Sequence, residues 1–306
     1  MLLSSHSRKI KSDLEKVVYV LSPSLECSEK NQDSLSCGGS SMDRCMVGFM
    51  TENLKPVLSF KNVSVSYKNH CALENISIDF FEGSLTAILG PNGGGKSTLL
   101  KVILGLVPLQ NGEIQHFHLK PKDIAYLPQQ TEIDRTFPLT VYDVVALGLS
   151  QTRGFFQEIG QKTDTTIQKA LEKVGLKEMA NRSLHMLSGG QFQRVLFARA
   201  MLQDAKIILL DEPFAAVDRY TMEDLIKIVK SWTAERRTVI IVSHDLEFVQ
   251  SYFPQSLLLA RNVIAYGSTK EVLTLENLQQ AKRNSREWED ANLEDDKTMQ
   301  FFKDDV

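Results

Sequence analysis

The glycine-rich segment Gly90–Ser97 constrains the fold more than any other part of this 306-residue chain. It fits the pattern G-x-x-x-x-G-K-[ST]. The apolar run Leu85–Leu89 before it predicts a buried strand, and Lys96–Leu106 after it predicts a helix. Glycines let successive backbone N–H groups turn toward a polyphosphate, and the helix N-terminus adds positive potential there. The sequence therefore predicts an α/β fold with a nucleotide-phosphate site between a strand and a helix.

Each side chain of this loop has an expected role. Lys96 is expected to reach the β- and γ-phosphates, and the Ser97 hydroxyl to bind Mg²⁺. Thr98 is expected to contact the α-phosphate. The rest of the cradle is predicted to consist of Gly90, Pro91, Asn92, Gly93, Gly94 and Gly95.

Three further polar residues follow predicted buried strands. Asp211 and Glu212 come directly after Ile207–Leu210, and His244 comes soon after Val239–Val242. Ligands of open α/β sheets bind at the carboxyl ends of the strands, so these residues are expected beside the phosphate loop. Asp211 suits the Mg²⁺ shell, Glu212 can orient or deprotonate an attacking water, and His244 can hydrogen-bond the γ-phosphate.

A second candidate anion cradle lies at Leu187–Gln191, which reads Leu-Ser-Gly-Gly-Gln. Ser188 precedes the predicted helix Gly190–Leu202, and a helix N-terminus with glycines attracts anions. One chain has little use for two cradles around one nucleotide, whereas two copies arranged head to tail would each supply one cradle to each nucleotide. The alternative interpretation is that Ser188 only caps its helix.

The order of predicted elements divides the chain into regions. Alternating strands and helices predict a parallel sheet covered on both faces, within a domain over residues 51–284. Edge strands are expected from Leu58 to Tyr67. Residues 140–203 contain no convincing strand and predict a helical subdomain. Residues 1–50, with eleven serines, predict disorder, and residues 285–306 predict an acidic tail.

Composition limits the classes of function. The net charge is −3, which gives no general attraction to nucleic acid. No run approaches the roughly 18 apolar residues that span a bilayer, so a role in a membrane process requires a separate integral partner. The spacing of the four cysteines fits no zinc or redox template. His116 and His118 would share one face of a strand, but two ligands are too few for a metal site.

From about Leu58 to Lys282 the chain resembles the nucleotide-binding subunit of an ATP-binding-cassette (ABC) transporter. The resemblance rests on the phosphate loop, the Leu187–Gln191 signature, the switch histidine His244, Gln129 as the Q-loop glutamine, and Asp218 as the D-loop aspartate. It implies a phosphate-loop NTPase core with a mixed sheet, an antiparallel β edge and a helical signature subdomain.

The resemblance also implies the remaining site residues. Tyr67 would stack on adenine. Gln129 would bind Mg²⁺ and would also belong to the catalytic set, with Glu212, His244 and Lys96. A second copy would supply Ser188, Gly189, Gly190, Gln191 and Asp218 to the nucleotide. Two departures from the family pattern are Gly94, where alanine is more usual, and the D-loop sequence Ala-Ala-Val-Asp in place of Ser-Ala-Leu-Asp.

The segment Tyr126–Val145 resembles the Q-loop region of manganese, zinc or iron importers. This implies an ATPase at the cytoplasmic face of the inner membrane, working with permease subunits and an extracytoplasmic metal-binding protein. Import of iron–siderophore, haem or cobalamin is the alternative cargo, and export stays open. A soluble cassette acting on DNA or ribosomes is less favoured, because the chain has one phosphate loop, one signature and no heptad run. A nucleotide sensor without turnover is disfavoured by the complete set of catalytic residues.

Overall fold

The computed structural model describes residues 55–68, 70–129, 133–149, 161–215 and 217–285. The expectations of disorder for residues 1–50 and of an acidic tail for residues 286–306 lie outside the described residues. The boundaries drawn at both ends of the domain therefore stay predictions.

Nine strands and seven α-helices lie wholly within the described residues. The strands are β1 (Pro56–Tyr67), β2 (His70–Phe81), β3 (Leu85–Leu89), β4 (Asn111–His116), β5 (Ile124–Leu127), β6 (Ile207–Asp211), β7 (Thr238–Val242), β8 (Gln255–Ala260) and β9 (Asn262–Ser268). The helices are α1 (Lys96–Ile103), α2 (Val141–Ala146), α3 (Gln161–Lys173), α4 (Gly189–Leu202), α5 (Arg219–Ala234), α6 (Leu246–Tyr252) and α7 (Thr269–Val272). Residues 275–285, at the end of the described range, are also helical.

The central sheet has six strands in the order β5-β6-β7-β3-β8-β9. All neighbours are parallel except β8 and β9, which form an antiparallel hairpin at one edge. Every residue of β3, β6 and β7 is buried, as their predominantly apolar sequences predict. Alternate residues feed two separate cores, with Leu210 and Ile241 on one face and Leu209 and Ile240 on the other. The carboxyl ends of β3, β6 and β7 therefore meet at one edge of a rigid layer.

A second, three-stranded antiparallel sheet has the order β2-β1-β4. The sequence predicts edge strands with an interruption between Leu58 and Tyr67, but β1 is continuous over twelve residues and absorbs the irregularity as register shifts. Strand β2 alternates buried and exposed residues, so its apolar content is diluted in the sequence. The fold class is confirmed: a mixed sheet, an antiparallel β edge and a helical subdomain.

The helical subdomain is built from α2, α3 and α4. Among its described residues, the only β-type pairing is the isolated bridge between Thr140 and Ser183. Helix α2 ends at Ala146 and continues as one 3₁₀ turn, Leu147–Leu149. Gly148 in that turn packs so closely on α4 that an added Cβ would lie 2.4 Å from the Arg199 carbonyl oxygen. This close approach fixes α2 against α4.

One predicted arrangement is wrong. His116 ends β4, while His118 follows in a turn with a left-handed φ of 54°, so the two side chains do not share a strand face. In the described ranges, no group of three or more His, Cys, Asp and Glu residues is placed to hold a metal ion. No helix within those ranges is long and apolar enough to cross a bilayer.

Candidate nucleotide site

The phosphate loop leaves β3 and enters α1 without an intervening element. An added Cβ at Gly90 would lie 1.8 Å from the Leu259 carbonyl oxygen, and one at Gly95 would lie 2.4 Å from the Ala72 carbonyl oxygen. Both residues also have positive φ values, 151° and 89°. Only glycine satisfies both constraints, because it has no Cβ and tolerates the left-handed half of φ space. The loop is thus held between β2 on one side and the end of β8 on the other.

A cavity of about 270 Å³ opens at this loop. It brings together most of the residues that the sequence predicts for nucleotide binding, and one that it does not predict. The lining residues are Tyr67, Ala72, Asn92, Gly93, Gly94, Gly95, Lys96, Ser97, Thr98 and Glu212. Ala72 was missed because a small apolar residue on an unpredicted strand gives no sequence signal. Gly90 and Pro91 do not line the cavity, but both contact its central lysine.

Lys96 lies buried beneath the loop. Its Nζ donates hydrogen bonds to the carbonyl oxygens of Gly90 and Pro91, at 3.0 and 2.8 Å. Burial lowers the pKa of the Lys96 ammonium, and the carboxylates of Glu212 and Asp211 act in the opposite direction. The ammonium is thus a donor group with little water around it, at the point where a helix N-terminus already favours anions.

Three predicted catalytic residues converge at the carboxyl ends of neighbouring strands. Gln129 follows β5, and its Nε2 donates to Glu212 Oε2 at 3.1 Å. His244 follows β7, and its Nδ1 lies 3.9 Å from Glu212 Oε1. Glu212 itself follows β6 with a left-handed φ of 46°. Asp211, the last residue of β6, is almost fully buried. The group places a carboxylate, an amide and an imidazole close to one another beside the phosphate loop.

A second cleft of about 210 Å³ lies behind Glu212 and His244. Its apolar wall includes Phe214 and Phe248, whose ring centroids are 4.8 Å apart. No motif in the amino-acid sequence singles out these two rings. They fix the turn after Glu212 against the helix after His244, and they support both catalytic candidates from behind.

The predicted signature cradle sits at the start of α4. Ser188 Oγ accepts a hydrogen bond from the Gln191 N–H at 3.2 Å, and the Ser188 N–H donates to Gln191 Oε1 at 3.0 Å. This reciprocal capping box leaves the helix N-terminus well ordered. Asp218 caps α5 through its own side chain, and an added Cβ at Gly190 would lie 3.6 Å from its Oδ2. The Thr221 N–H and hydroxyl lower the pKa of the Asp218 carboxyl.

The signature residues and Asp218 thus form one group, in which two helix N-termini lie side by side. In the described part of the chain they do not line the cavity at the phosphate loop. The predicted residues consequently fall into two half-sites: Tyr67, the loop, Gln129, Glu212 and His244 in one, and Ser188–Gln191 with Asp218 in the other.

Comparison with known proteins identifies this arrangement. Residues 73–215 match the ABC transporter family. The manganese transport system ATP-binding protein MntB of Bacillus subtilis is 43% identical over 223 residues, covering 71% of this chain and 89% of that protein. MntB of Listeria innocua is 38% identical, covering 72% and 94%. The zinc transport system ATP-binding protein TroB of Treponema pallidum is 38% identical, covering 72% and 84%.

Solved structures agree with these relatives. An inward-facing putative metal-chelate type ABC transporter superimposes with a TM-score of 0.67 at 30% identity, covering 75% of this chain and 90% of that chain. The dimeric structure of MJ0796, a bacterial ABC transporter cassette, superimposes with a TM-score of 0.62 at 29% identity, covering 69% and 98%. The resemblance on which the sequence analysis rests is confirmed. This chain belongs to the ABC transporter family, as one of its ATP-binding subunits.

Proposed function

We propose that this chain hydrolyses ATP to power uptake of a divalent metal ion, manganese or zinc, through a separate membrane permease. The ATPase part is carried by one observation, the convergence of Gln129, Glu212 and His244 beside the phosphate loop. The cargo is supported by relatives named for manganese and zinc transport that are 38–43% identical over the cassette. Iron as the transported ion stays a prediction from the sequence. A metal chelate is the second candidate cargo, supported by one solved structure at 30% identity.

The cavity fits a nucleoside triphosphate. Glycine at positions 90 and 95 lets the loop pack against the Leu259 and Ala72 carbonyl oxygens, which an added Cβ would strike. The glycine-rich backbone can then turn its N–H groups toward a phosphate. Lys96 supplies a charged donor for the β- and γ-phosphates. Tyr67, 44% exposed at the end of β1, offers a ring face on which adenine can stack.

Oxygen ligands suited to Mg²⁺ lie in the cavity wall and at the nearby ends of strands β5 and β6. The Ser97 hydroxyl lines it, Asp211 ends the neighbouring strand, and Gln129 carries an amide oxygen beside Glu212. Hydroxyl, carboxylate and amide oxygens are the ligands that this hard cation prefers. These three residues would hold the ion, which when bound neutralises charge on the β- and γ-phosphates.

Glu212 is the proposed base. Its side chain lines the cavity from the end of β6, where the carboxylate can orient or deprotonate a water that attacks the γ-phosphate. Gln129 holds one carboxylate oxygen, and His244 lies close to the other. His244 can hydrogen-bond the γ-phosphate from the next strand.

A second copy of the chain completes the site. Ser188–Gln191 and Asp218 form a half-site apart from the cavity, and two copies arranged head to tail would each close the other's nucleotide. We expect Glu212→Gln, which keeps the side-chain shape but not the base, to accumulate as an ATP-bound dimer with turnover reduced by about 10²–10⁴-fold. Size-exclusion chromatography with ATP and Mg²⁺ tests this. A monomeric, fully active Glu212→Gln protein would contradict it.

The remaining parts of the proposal concern partners and location. The permease would dock on the segment between Gln129 and α2, and the complex would receive its metal from an extracytoplasmic binding protein. The chain would then lie peripherally at the cytoplasmic face of the inner membrane. A cassette acting on nucleic acid is the competing class, and co-purification of nucleic acid rather than a permease would favour it.

The deciding experiment measures cellular manganese, zinc and iron together in cells that lack this protein. Complementation uses the wild type and Glu212→Gln at equal expression levels. We expect one metal to fall and to recover only with the wild type. Unchanged levels of all three metals would refute the metal-ion cargo and direct the assay to siderophore, haem or cobalamin uptake.

A further inference from the structure

The tip of the β8–β9 hairpin bonds to both walls of the nucleotide cavity. The Arg261 N–H donates to the Gly94 carbonyl oxygen at 2.9 Å, inside the phosphate loop. Its guanidinium Nη1 donates to the Cys71 carbonyl oxygen at 3.1 Å, on β2. Its own carbonyl oxygen accepts from the Glu74 N–H at 2.9 Å. One residue therefore bonds the phosphate loop through its backbone and β2 through both side chain and backbone.

The bonded segment of β2 lies on the side of the cavity that Tyr67 and Ala72 line, where the adenine base would stack in the proposed function. Cys71 precedes Ala72, which lines the cavity beside Gly95. Cys71 pairs with Ser66, and His70 pairs with Tyr67, across the β1–β2 hairpin. The position of Cys71 therefore helps to set where the backbone of Tyr67 lies relative to the loop.

The backbone conformation of Arg261 is one that glycine adopts more easily. Its φ is 65°, in the left-handed region that a residue with a Cβ adopts only at a conformational cost. Glycine would relieve that cost but would remove the guanidinium that reaches Cys71. Arg236 shares this φ, so what distinguishes Arg261 is the bond from its guanidinium to β2.

We propose that Arg261 is a positioning residue for ATP, which holds the base-side wall, with Tyr67 and Ala72, at a fixed distance from the phosphate loop. This inference rests on the proposed function, in which the cavity binds ATP. The main chain of Arg261 bonds the phosphate loop at Gly94, and its guanidinium bonds β2 at Cys71, in the wall against which the base would lie. Loss of the side chain should therefore weaken binding of a ligand that has both a base and phosphates more than binding of phosphates alone.

The test compares ATP with inorganic tripolyphosphate, which carries the phosphates without the base. Arg261→Gly removes the guanidinium and relaxes the backbone, and Arg261→Lys keeps the charge. Arg236→Gly is the matched control, because Arg236 has a φ of 62° and lies in the exposed turn before β7, at the amino end of that strand and away from the cavity at the carboxyl ends. Dissociation constants are measured by isothermal titration calorimetry, with the thermal midpoint of each protein recorded alongside.

We expect Arg261→Gly to raise the Kd for ATP about tenfold and the Kd for tripolyphosphate by less than about twofold, from the usual worth of a charged hydrogen bond. Arg261→Lys should recover part of the loss, and Arg236→Gly should bind both ligands like the wild type. Unchanged ATP affinity in Arg261→Gly, an equal loss for both ligands, or an equal loss in Arg236→Gly would overturn the inference. A wild-type protein that binds neither ligand would overturn the proposed function and this inference with it.

Discussion

Ser188→Ala tests whether the second half-site acts on a nucleotide or merely caps a helix. In the structure the Ser188 hydroxyl oxygen accepts the Gln191 N–H at 3.2 Å, and the reverse bond to Gln191 uses only the backbone N–H of Ser188. Alanine therefore removes one of the two bonds of the capping box. The expected cost in stability is about 1 kcal/mol, which lowers the thermal midpoint by about 2–4 °C for a domain of this size.

The expected catalytic loss is larger than the stability loss. If Ser188 donates to the phosphate held by a second copy, its removal takes away one donor from charge that develops during hydrolysis. Such a donor is worth about 100-fold in turnover, or about 2.7 kcal/mol. A protein whose free energy of unfolding is roughly 5–15 kcal/mol stays almost fully folded when that free energy falls by about 1 kcal/mol. Partial unfolding therefore cannot account for a 100-fold effect.

Thr140, which precedes and caps α2, provides a matched control. Its hydroxyl oxygen accepts the Asp143 N–H at 3.2 Å, and its N–H donates to Asp143 Oδ2 at 2.9 Å. The hydroxyl also donates to the same carboxylate, so Thr140→Ala is at least as disruptive locally. Phosphate release is measured with the isolated chain at concentrations that support a dimer. Equal losses of turnover in the two variants, or wild-type turnover in Ser188→Ala, would refute the role of Ser188 in hydrolysis.

Three further predictions concern the cavity itself. Gly95→Ala should abolish ATP binding in a titration, because its Cβ would collide with β2, whereas Gly93→Ala pays only for its φ of 72° and should keep measurable binding. ATP affinity should decline as pH rises through the lowered pKa of Lys96, because the ammonium then loses its charge. In Glu212→Gln the decline should occur at lower pH, because this variant lacks a carboxylate that raises the pKa of Lys96. Identical pH profiles would contradict that coupling. Tyr67→Ala should weaken ATP binding about tenfold, while Tyr67→Phe should not.

The sequence predicts the centre of this fold well, for a simple physical reason. Strands β3, β6 and β7 are five-residue runs buried on both faces, so four of the five residues in each are apolar and the strands are easy to recognise. Parallel strands also fix where their carboxyl ends meet, which places the loop after Leu89 beside Glu212. The positions of site residues that follow such strands can therefore be inferred from the amino-acid sequence alone.

Features that depend on contacts between distant segments could not be predicted in the same way. Ala72 lines the cavity because β2 packs on Gly95, and Arg261 joins two sheets through bonds that span up to 190 positions of sequence. Neither residue belongs to a recognisable pattern. The error over His118 has a similar origin, since a left-handed turn after β4 interrupts an alternation that reads as a strand.

The two half-sites are connected by packing as well as by chain. Gln129 lies just after β5 and donates a hydrogen bond to Glu212, which follows β6. Further along the chain, the guanidinium of Arg135 lies 4.2 Å from the centroid of the Phe192 ring. Phe192 belongs to the first turn and a half of α4, directly after the signature residues. A cation–π contact thus joins Arg135, six positions after Gln129 in the sequence, to the helix that would meet the partner's nucleotide in the proposed function. Because Arg135 packs on α4, a movement of the Arg135 segment would be transmitted to the start of that helix.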